Sequence, residues 1–296
     1  MSIRWGVSPI AWANDDMPEL GGDTPLESIL RDIAEVGFDG VELGGKFPRD
    51  PGVLLPLLRG FGLDLVGGWY SGSLLLQDAD AEIAALQPHL RLLEAMGSTV
   101  FVFAETSNAV HGARGTPMTA TPRLAAGDWA RFGARMTAVA DHVQARGLKF
   151  AYHHHLGTVV ETAADLDAFV ASTGPSVGLT LDTGHAALGG IDALATIAAH
   201  PRRIAHVHCK DIRGDRHRAA RAAGRSFLDG VLAGMYTVPG DGDLDFAALM
   251  QALRGIGYSG WIVVEAEQDP ALADPRAFAE LGLRTLKARA AEAGLR

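Results

Sequence analysis

The sequence predicts an α/β protein folded as one (β/α)8 TIM barrel over residues 1–296, and three observations lead there. Eight short runs with strand patterning alternate with eight amphipathic stretches. Five of those stretches end in a glycine just ahead of the next strand, at Gly37, Gly62, Gly97, Gly147 and Gly257, where a positive φ stops a helix. Ser8-Pro9-Ile10-Ala11-Trp12 follows the first strand where a doubly wound sheet would carry a glycine-rich phosphate turn.

In chain order, residues 4–12 read as the first strand and break at the polar loop Asn14-Asp15-Asp16. Thr24 is the expected N-cap of the first helix, with Pro25 at its first position, Glu27 completing a capping box, and an apolar period running to Val36. Further strands are expected over 40–44, 63–69, 99–105, 149–155, 177–182, 204–211 and 261–267. Helices are expected over 51–61, 79–96, 128–146, 163–172, 191–199, 246–256 and 275–292. The longest connection, 212–244, is rich in Arg and Gly and is expected to form a lid with helix of its own around 219–232, because structureless loops of that length are uncommon.

Bulk properties narrow the partners. A formal charge of −9 disfavours a nucleic-acid binder that relies on phosphate neutralisation. There is no run of about 20 apolar residues to span a membrane, and residues 1–4 lead into a strand rather than a signal peptide. One cysteine, Cys209, precludes an internal disulfide and fits a reducing cytoplasm. The expected partner is a small molecule. Apolar outer helices, such as the stretch 281–286, leave room for a homo-oligomer.

Barrel enzymes work at the C-terminal ends of their strands, and here those ends are crowded with ionisable groups. The second ends in Glu42 and Lys46, the fourth in Glu105, and the fifth in His153-His154-His155. The sixth ends in Asp182 and His185, the seventh in His206, His208, Lys210 and Asp211, and the eighth in Glu265 and Glu267. Pleating puts His206, His208 and Lys210 on one face, as it does His153 with His155 and Glu265 with Glu267. Imidazoles and carboxylates converging from neighbouring strands suit a divalent ion such as Mn, Co, Mg or Zn. Taken singly, Glu42 or Glu105 reads as an ion-paired or capping carboxylate sooner than as a ligand. His206, one pleat deeper than His208, reads as a ligand or as the hydrogen-bonded support of one. Cys209 faces the other way, towards a helix. His89, His111, His142, His200 and His217 lie away from strand ends and read as surface or helix-face residues, and the arginines at 202–203 and 213–225 as a solvated face and lid.

Three motifs, Leu181-Asp-Thr-Gly-His185, His206-Val-His-Cys-Lys-Asp211 and Gly260-Trp-Ile-Val-Val-Glu265, resemble the xylose-isomerase-like TIM-barrel superfamily. More specific stretches resemble its myo-inosose-2 dehydratase family: residues 8–16, 42–48, 152–158, 238–246 and 264–270. The resemblance runs from about residue 6 to about residue 286. It implies a hydro-lyase of inositol catabolism that removes water from 2-keto-myo-inositol, a cyclic polyol ketone, to give a trihydroxycyclohexane-1,2-dione by way of an enolate. It also implies a metal held by His153, Asp182, His208 and Glu265. His153 stands where relatives in the superfamily often have Glu, and losing that negative charge favours Mn or Co over Mg. The family is associated with glutathione, for which no residue here gives a reason.

The implied chemistry needs a base near neutrality, for which His155 is the first candidate and His185 or Glu267 the reserves. Lys210 or Lys46 would steady the developing oxyanion or protonate the departing hydroxide. Trp12, Asn14, Glu42, Glu105 and Trp69 are the candidate substrate contacts. The same fold would also serve a ketose 3-epimerase or isomerase, an endonuclease IV-type phosphodiesterase, or a non-catalytic sugar-binding protein; the acidic balance speaks against the second and the gathered titratable groups against the third.

Overall fold

The computed structural model describes residues 2–296. Eight parallel strands close into a barrel: β1 (Ile3–Val7), β2 (Gly40–Leu43), β3 (Asp64–Gly72), β4 (Val100–Glu105), β5 (Lys149–His153), β6 (Gly178–Asp182), β7 (Ile204–Cys209) and β10 (Gly260–Val264), with β1 meeting β10 to complete the ring. The remaining two, β8 (Asp211–Ile212) and β9 (Tyr236–Thr237), pair antiparallel outside it.

Alternation along these strands sorts the apolar residues into two layers. Val66, Val100, Val102, Ala151, Trp261 and Val263 point inward and fill the barrel, whereas Leu65, Phe101, Phe103, Phe150, Tyr152, Ile262 and Val264 point outward into the layer shared with the helices. Cys209 is buried in that outer layer, as its position opposite His208 requires. All five glycines preceding a strand have positive φ, between 65° and 94°.

The helices are α1 (Leu26–Val36), α2 (Pro51–Gly60), α3 (Ala79–Ala95), α4 (Trp129–Ala145), α5 (Ala163–Ser172), α6 (Thr183–Gly189), α7 (Ala193–Ala199), α8 (Gly214–Ala222), α9 (Phe227–Leu232), α10 (Phe246–Gly255) and α11 (Pro275–Ala293). No helix among the described residues is long and apolar enough to cross a membrane.

Three expectations need correction. Thr24 does not cap α1: the helix starts at Leu26, Pro25 takes the cap position, and no side chain bonds the first turn. The connection after the sixth strand holds a helix that periodicity missed, because Asp182 caps α6 through Oδ1, which accepts from the His185 N–H at 2.8 Å, and seven residues are too few to show a period. Arg203 is not on a solvated face; its guanidinium donates to the carbonyls of Thr173 and Val177 beyond α5.

Residues 212–244 contain β8, α8, α9 and β9, so the helix expected around 219–232 is two helices beginning at Gly214. A second apolar cluster roofs the barrel. It joins Met17 from the first strand's loop and Met118 from the loop before α4 to Phe227, Leu228, Val231, Met235 and Tyr236. Asp211 ties the segment down, accepting N–H bonds from Ile212, Gly240 and Leu244.

Candidate active site

Strand ends and the loops just beyond them surround a cavity of roughly 250 Å³, a volume for a monosaccharide-sized ligand rather than a polymer. Its wall includes Asp15, Asp16, Glu42, Arg49, Trp69, Ser71, His111, His155, His208, Glu265 and Glu267.

Beneath one side lies a group of buried acids and imidazoles. His208 Nε2 donates to Glu42 Oε1 at 3.0 Å, and His206 Nε2 donates to the same oxygen at 2.9 Å. That bond puts a proton on Nε2 and turns His208 Nδ1 towards Glu265 Oε2 at 2.9 Å and Asp182 Oδ2 at 3.7 Å. Asp182 Oδ2 is also 3.6 Å from His153 Nε2. Asp182 Oδ2 and His208 Nδ1 are buried without a properly aligned hydrogen bond, which is costly unless a cation satisfies them. Burial opposes ionisation of Glu42, but the two imidazoles outweigh it and hold the carboxyl well below its usual range. Burial likewise disfavours a charged His208, yet Glu42 and Glu265 prevail and raise its pKa well above the ordinary value. The donor set, mixed nitrogen and oxygen converging on one place, fits a divalent metal, which would take the position of the proton that these carboxylates otherwise hold on His208 Nδ1. Glu42 then acts as the carboxylate that fixes the ring of a ligating histidine.

A second group adjoins the first. Lys210 is fully buried, with Nζ 2.7 Å from Glu265 Oε1, 2.7 Å from Glu267 Oε1 and 3.7 Å from Asp182 Oδ2. Desolvation works against its ammonium, but those carboxylates keep it charged, with a pKa well above the usual lysine value. Burial pushes Glu267 up to about 7, an effect that Lys210 only partly offsets. His185 Nδ1 accepts from the Leu156 N–H at 3.2 Å, and its Nε2 lies 3.1 Å from Lys210 Nζ and 3.6 Å from Glu267 Oε1. His155 Nδ1 donates to the Leu156 carbonyl at 2.7 Å, which leaves Nε2 with its lone pair free. Burial lowers the pKa of His155 well below normal, with His111, His153 and Lys210 adding to the effect. His155 packs on His185 with ring centroids 3.7 Å apart, and Trp69 stands edge-on to His153 and His155.

The structure therefore brings together His153, His155, Asp182, His185, His208, Lys210, Glu265, Glu267, Glu42 and Trp69. It places four other candidates elsewhere. Lys46 is exposed and donates to the Gly22 carbonyl. Trp12 lies in the apolar layer with Nε1 donating to Asp32. Asn14 Oδ1 accepts from the N–H groups of Asp16 and Met17 and so shapes its own loop. Glu105 is spent on the Leu74 N–H and on Ser107. Each of these four lies near a strand end, but pleat and loop turn it away from the cavity.

Asp15, Asp16, Arg49, Ser71 and His111 line the cavity although sequence reasoning did not select them. Asp15 and Asp16 had a signal in their polar loop. His111 had none, and its reading as a surface residue is corrected here.

Comparison with known proteins agrees with this geometry. Residues 30–289 match the family model of xylose isomerase-like TIM barrels. The chain is 47% identical to the rhizopine catabolism protein MocC of Rhizobium meliloti, covering 100% of this chain and 91% of that one. It is 39% identical to the inosose dehydratase of Geobacillus thermodenitrificans, covering 94% of each. Among solved structures it resembles an L-ribulose 3-epimerase, with a TM-score of 0.71, 19% identity and coverage of 99% of this chain and 96% of that one. A probable 3-DHS dehydratase, AsbF of Bacillus anthracis, gives a TM-score of 0.68 at 14% identity, covering 96% of this chain and 98% of that one. These two likenesses speak for the fold alone. With its barrel, its strand-end residues and its full-length relatives in accord, the chain belongs to the xylose isomerase-like TIM barrel family, within its inosose dehydratase group, and is a dehydratase.

Proposed function

We propose that the chain removes water from 2-keto-myo-inositol, giving a trihydroxycyclohexane-1,2-dione, with a divalent metal, Mn or Co, held by Asp182, His208, Glu265 and His153. The observation that carries this reading is the pairing of orphaned metal-type donors with a free basic nitrogen across one sugar-sized cavity.

A bound metal would supply Lewis-acid stabilisation of the enolate oxygen. The protein's own residues do the rest. His155 Nε2 takes the proton from the carbon next to the ketone, and its Nδ1–H bond to the Leu156 carbonyl holds the tautomer this requires. The electron pair of that C–H bond passes through the enolate to form the carbon–carbon double bond as the neighbouring C–O bond breaks, and the enol so formed becomes the 1,2-dione by moving its hydroxyl proton to carbon. Glu267, with a pKa of about 7, gives the departing hydroxide its proton, so that water leaves. Lys210 does not line the cavity; from behind, it neutralises Glu265, and Glu267 once that group has given up its proton, and so keeps the wall from repelling an electron-rich intermediate. Trp69 offers an apolar face to the sugar ring. Segment 212–244 serves as the lid, and its apolar cluster keeps water from the enolate.

The test is metal analysis of the purified protein, then incubation with 2-keto-myo-inositol while absorbance of a conjugated dione is followed. Metal-dependent growth of that absorbance is expected. A stereoisomer of the substrate without dione would give the reaction to an epimerase instead, and full turnover after metal removal would overturn the metal assignment.

A further inference from the structure

We infer that His111, on the loop before α4, is a specificity-determining residue that hydrogen-bonds a ring hydroxyl of a cyclic polyol on the side of the cavity away from Asp182 and His208. The inference rests on the cyclic-polyol reading above and adds to it a residue that recognises the substrate.

Four observations support it. The His111 ring lines the cavity, and its centroid is 4.7 Å from that of His155, the nearest step along the wall from the proposed base. A ligand atom touching His155 has its next neighbours within reach of His111. Among the described residues, His111 Nδ1 is buried without a hydrogen-bond partner, a cost that a ligand hydroxyl removes once a half-turn of the ring, which keeps its plane, brings that nitrogen to the cavity.

The loop is held for this placement and is not a loose surface strand. The Val110 N–H donates to the Gly157 carbonyl at 2.9 Å; Gly157 has φ of +77°, and a Cβ there would stand 3.0 Å from the backbone nitrogen of His111. Further along, the Met118 N–H donates to the Arg225 carbonyl at 2.9 Å, while Arg114 pairs with Glu19 of the loop after the first strand. Asp16, also in the cavity wall, is close enough to favour a charged His111, although burial prevails and the pKa falls. Phe227 meets the ring edge-on and fixes its plane. A ring steadied by packing on two sides and bonded to neither neighbour is suited to reading a ligand.

The experiment compares His111→Phe, which keeps the packing and loses the nitrogens, with His111→Gln, which keeps a donor and an acceptor. Steady-state kinetics use 2-keto-myo-inositol, and calorimetry uses myo-inositol, which has no ketone to react, together with its monodeoxy derivatives. His111→Phe is expected to raise KM, and Kd for myo-inositol, by about tenfold, the effect of one lost hydrogen bond in a closed site. Metal content and Tm should stay at wild-type values, kcat should change by less than about threefold, and His111→Gln should recover most of the loss. One monodeoxy derivative should bind wild type and His111→Phe alike. Unchanged KM and Kd in His111→Phe, alongside active wild-type enzyme, would overturn this inference while sparing the reaction; so would an equal penalty for every derivative. A wild-type protein that neither binds nor converts any of these polyols would overturn both.

Discussion

Two histidines of this barrel, His154 and His208, are equally buried yet chemically opposite. His153 and His154 are consecutive, and pleating sends the first to Asp182 and His208 and the second to the other face, where neither ring nitrogen has a partner. Burial alone, reinforced by His153, pushes the pKa of His154 down to about 3. His89, between α3 and β3, behaves in the same way: desolvation takes it to about 4, despite a contact of 3.2 Å with the Gly68 carbonyl. His208 is as enclosed as His154, and more so than the half-buried His89, but moves upward because carboxylates surround it. A histidine's chemistry here is decided by how much carboxylate charge waits beside its ring: His208, between Glu42 and Glu265, moves up, while His155, on the same inner side but without an acid partner, moves down as His154 does.

The comparison breaks first at Asp182. Asp182→Ala removes both the cap of α6 and an inward carboxylate, and dehydration is expected to fall at least about 10³-fold with loss of bound metal. Circular dichroism should show the barrel intact. Activity near wild type with full metal content would mean that the inward group is merely structural.

His89 sharpens the outward side. Its folded pKa of about 4 lies below its unfolded value of 6.5, so the unfolded chain takes up the proton first. Stability is therefore present above pH 6.5 and lost as pH falls towards 4, by at most about 3 kcal/mol from this residue. His89→Phe, which retains the contacts with Tyr70 and Phe101, should flatten that part of the pH profile in urea titrations. Identical slopes for the two proteins would remove His89 from the outward class.

The smallest expected effect belongs to Glu42→Gln. An amide still reaches His208, but it no longer favours the proton on Nε2 that frees Nδ1, and metal affinity should weaken about 10- to 100-fold. Competition with a chelator measures it, and unaltered affinity would show that His208 needs no orienting partner.

Much of this was legible in the sequence because a parallel barrel imposes two strong rules: alternation within strands, and function at their C-terminal ends. His153, Asp182, His208 and Glu265 are close in space because those rules allow little else. Alternation even extends past the strand, since Glu265 and Glu267 follow the end of β10 and still both reach Lys210. Loops obey no such period. Glu105 and Asn14 looked available, but backbone N–H groups consume their oxygens, that of the distant Leu74 for Glu105 and those of Asp16 and Met17 in its own loop for Asn14. His111 looked idle and was brought to the cavity by a bond from Val110 to Gly157, a contact between distant segments that no local pattern encodes.

The meeting of Met17, Met118 and Phe227 above the barrel has a consequence of its own. Three stretches far apart in the chain share one ceiling, so none can be shortened, nicked or exchanged for a homologous piece without loosening the other two. Dryness in the chamber below is a joint property of all three, and a change of diet for such a protein would require them to evolve together.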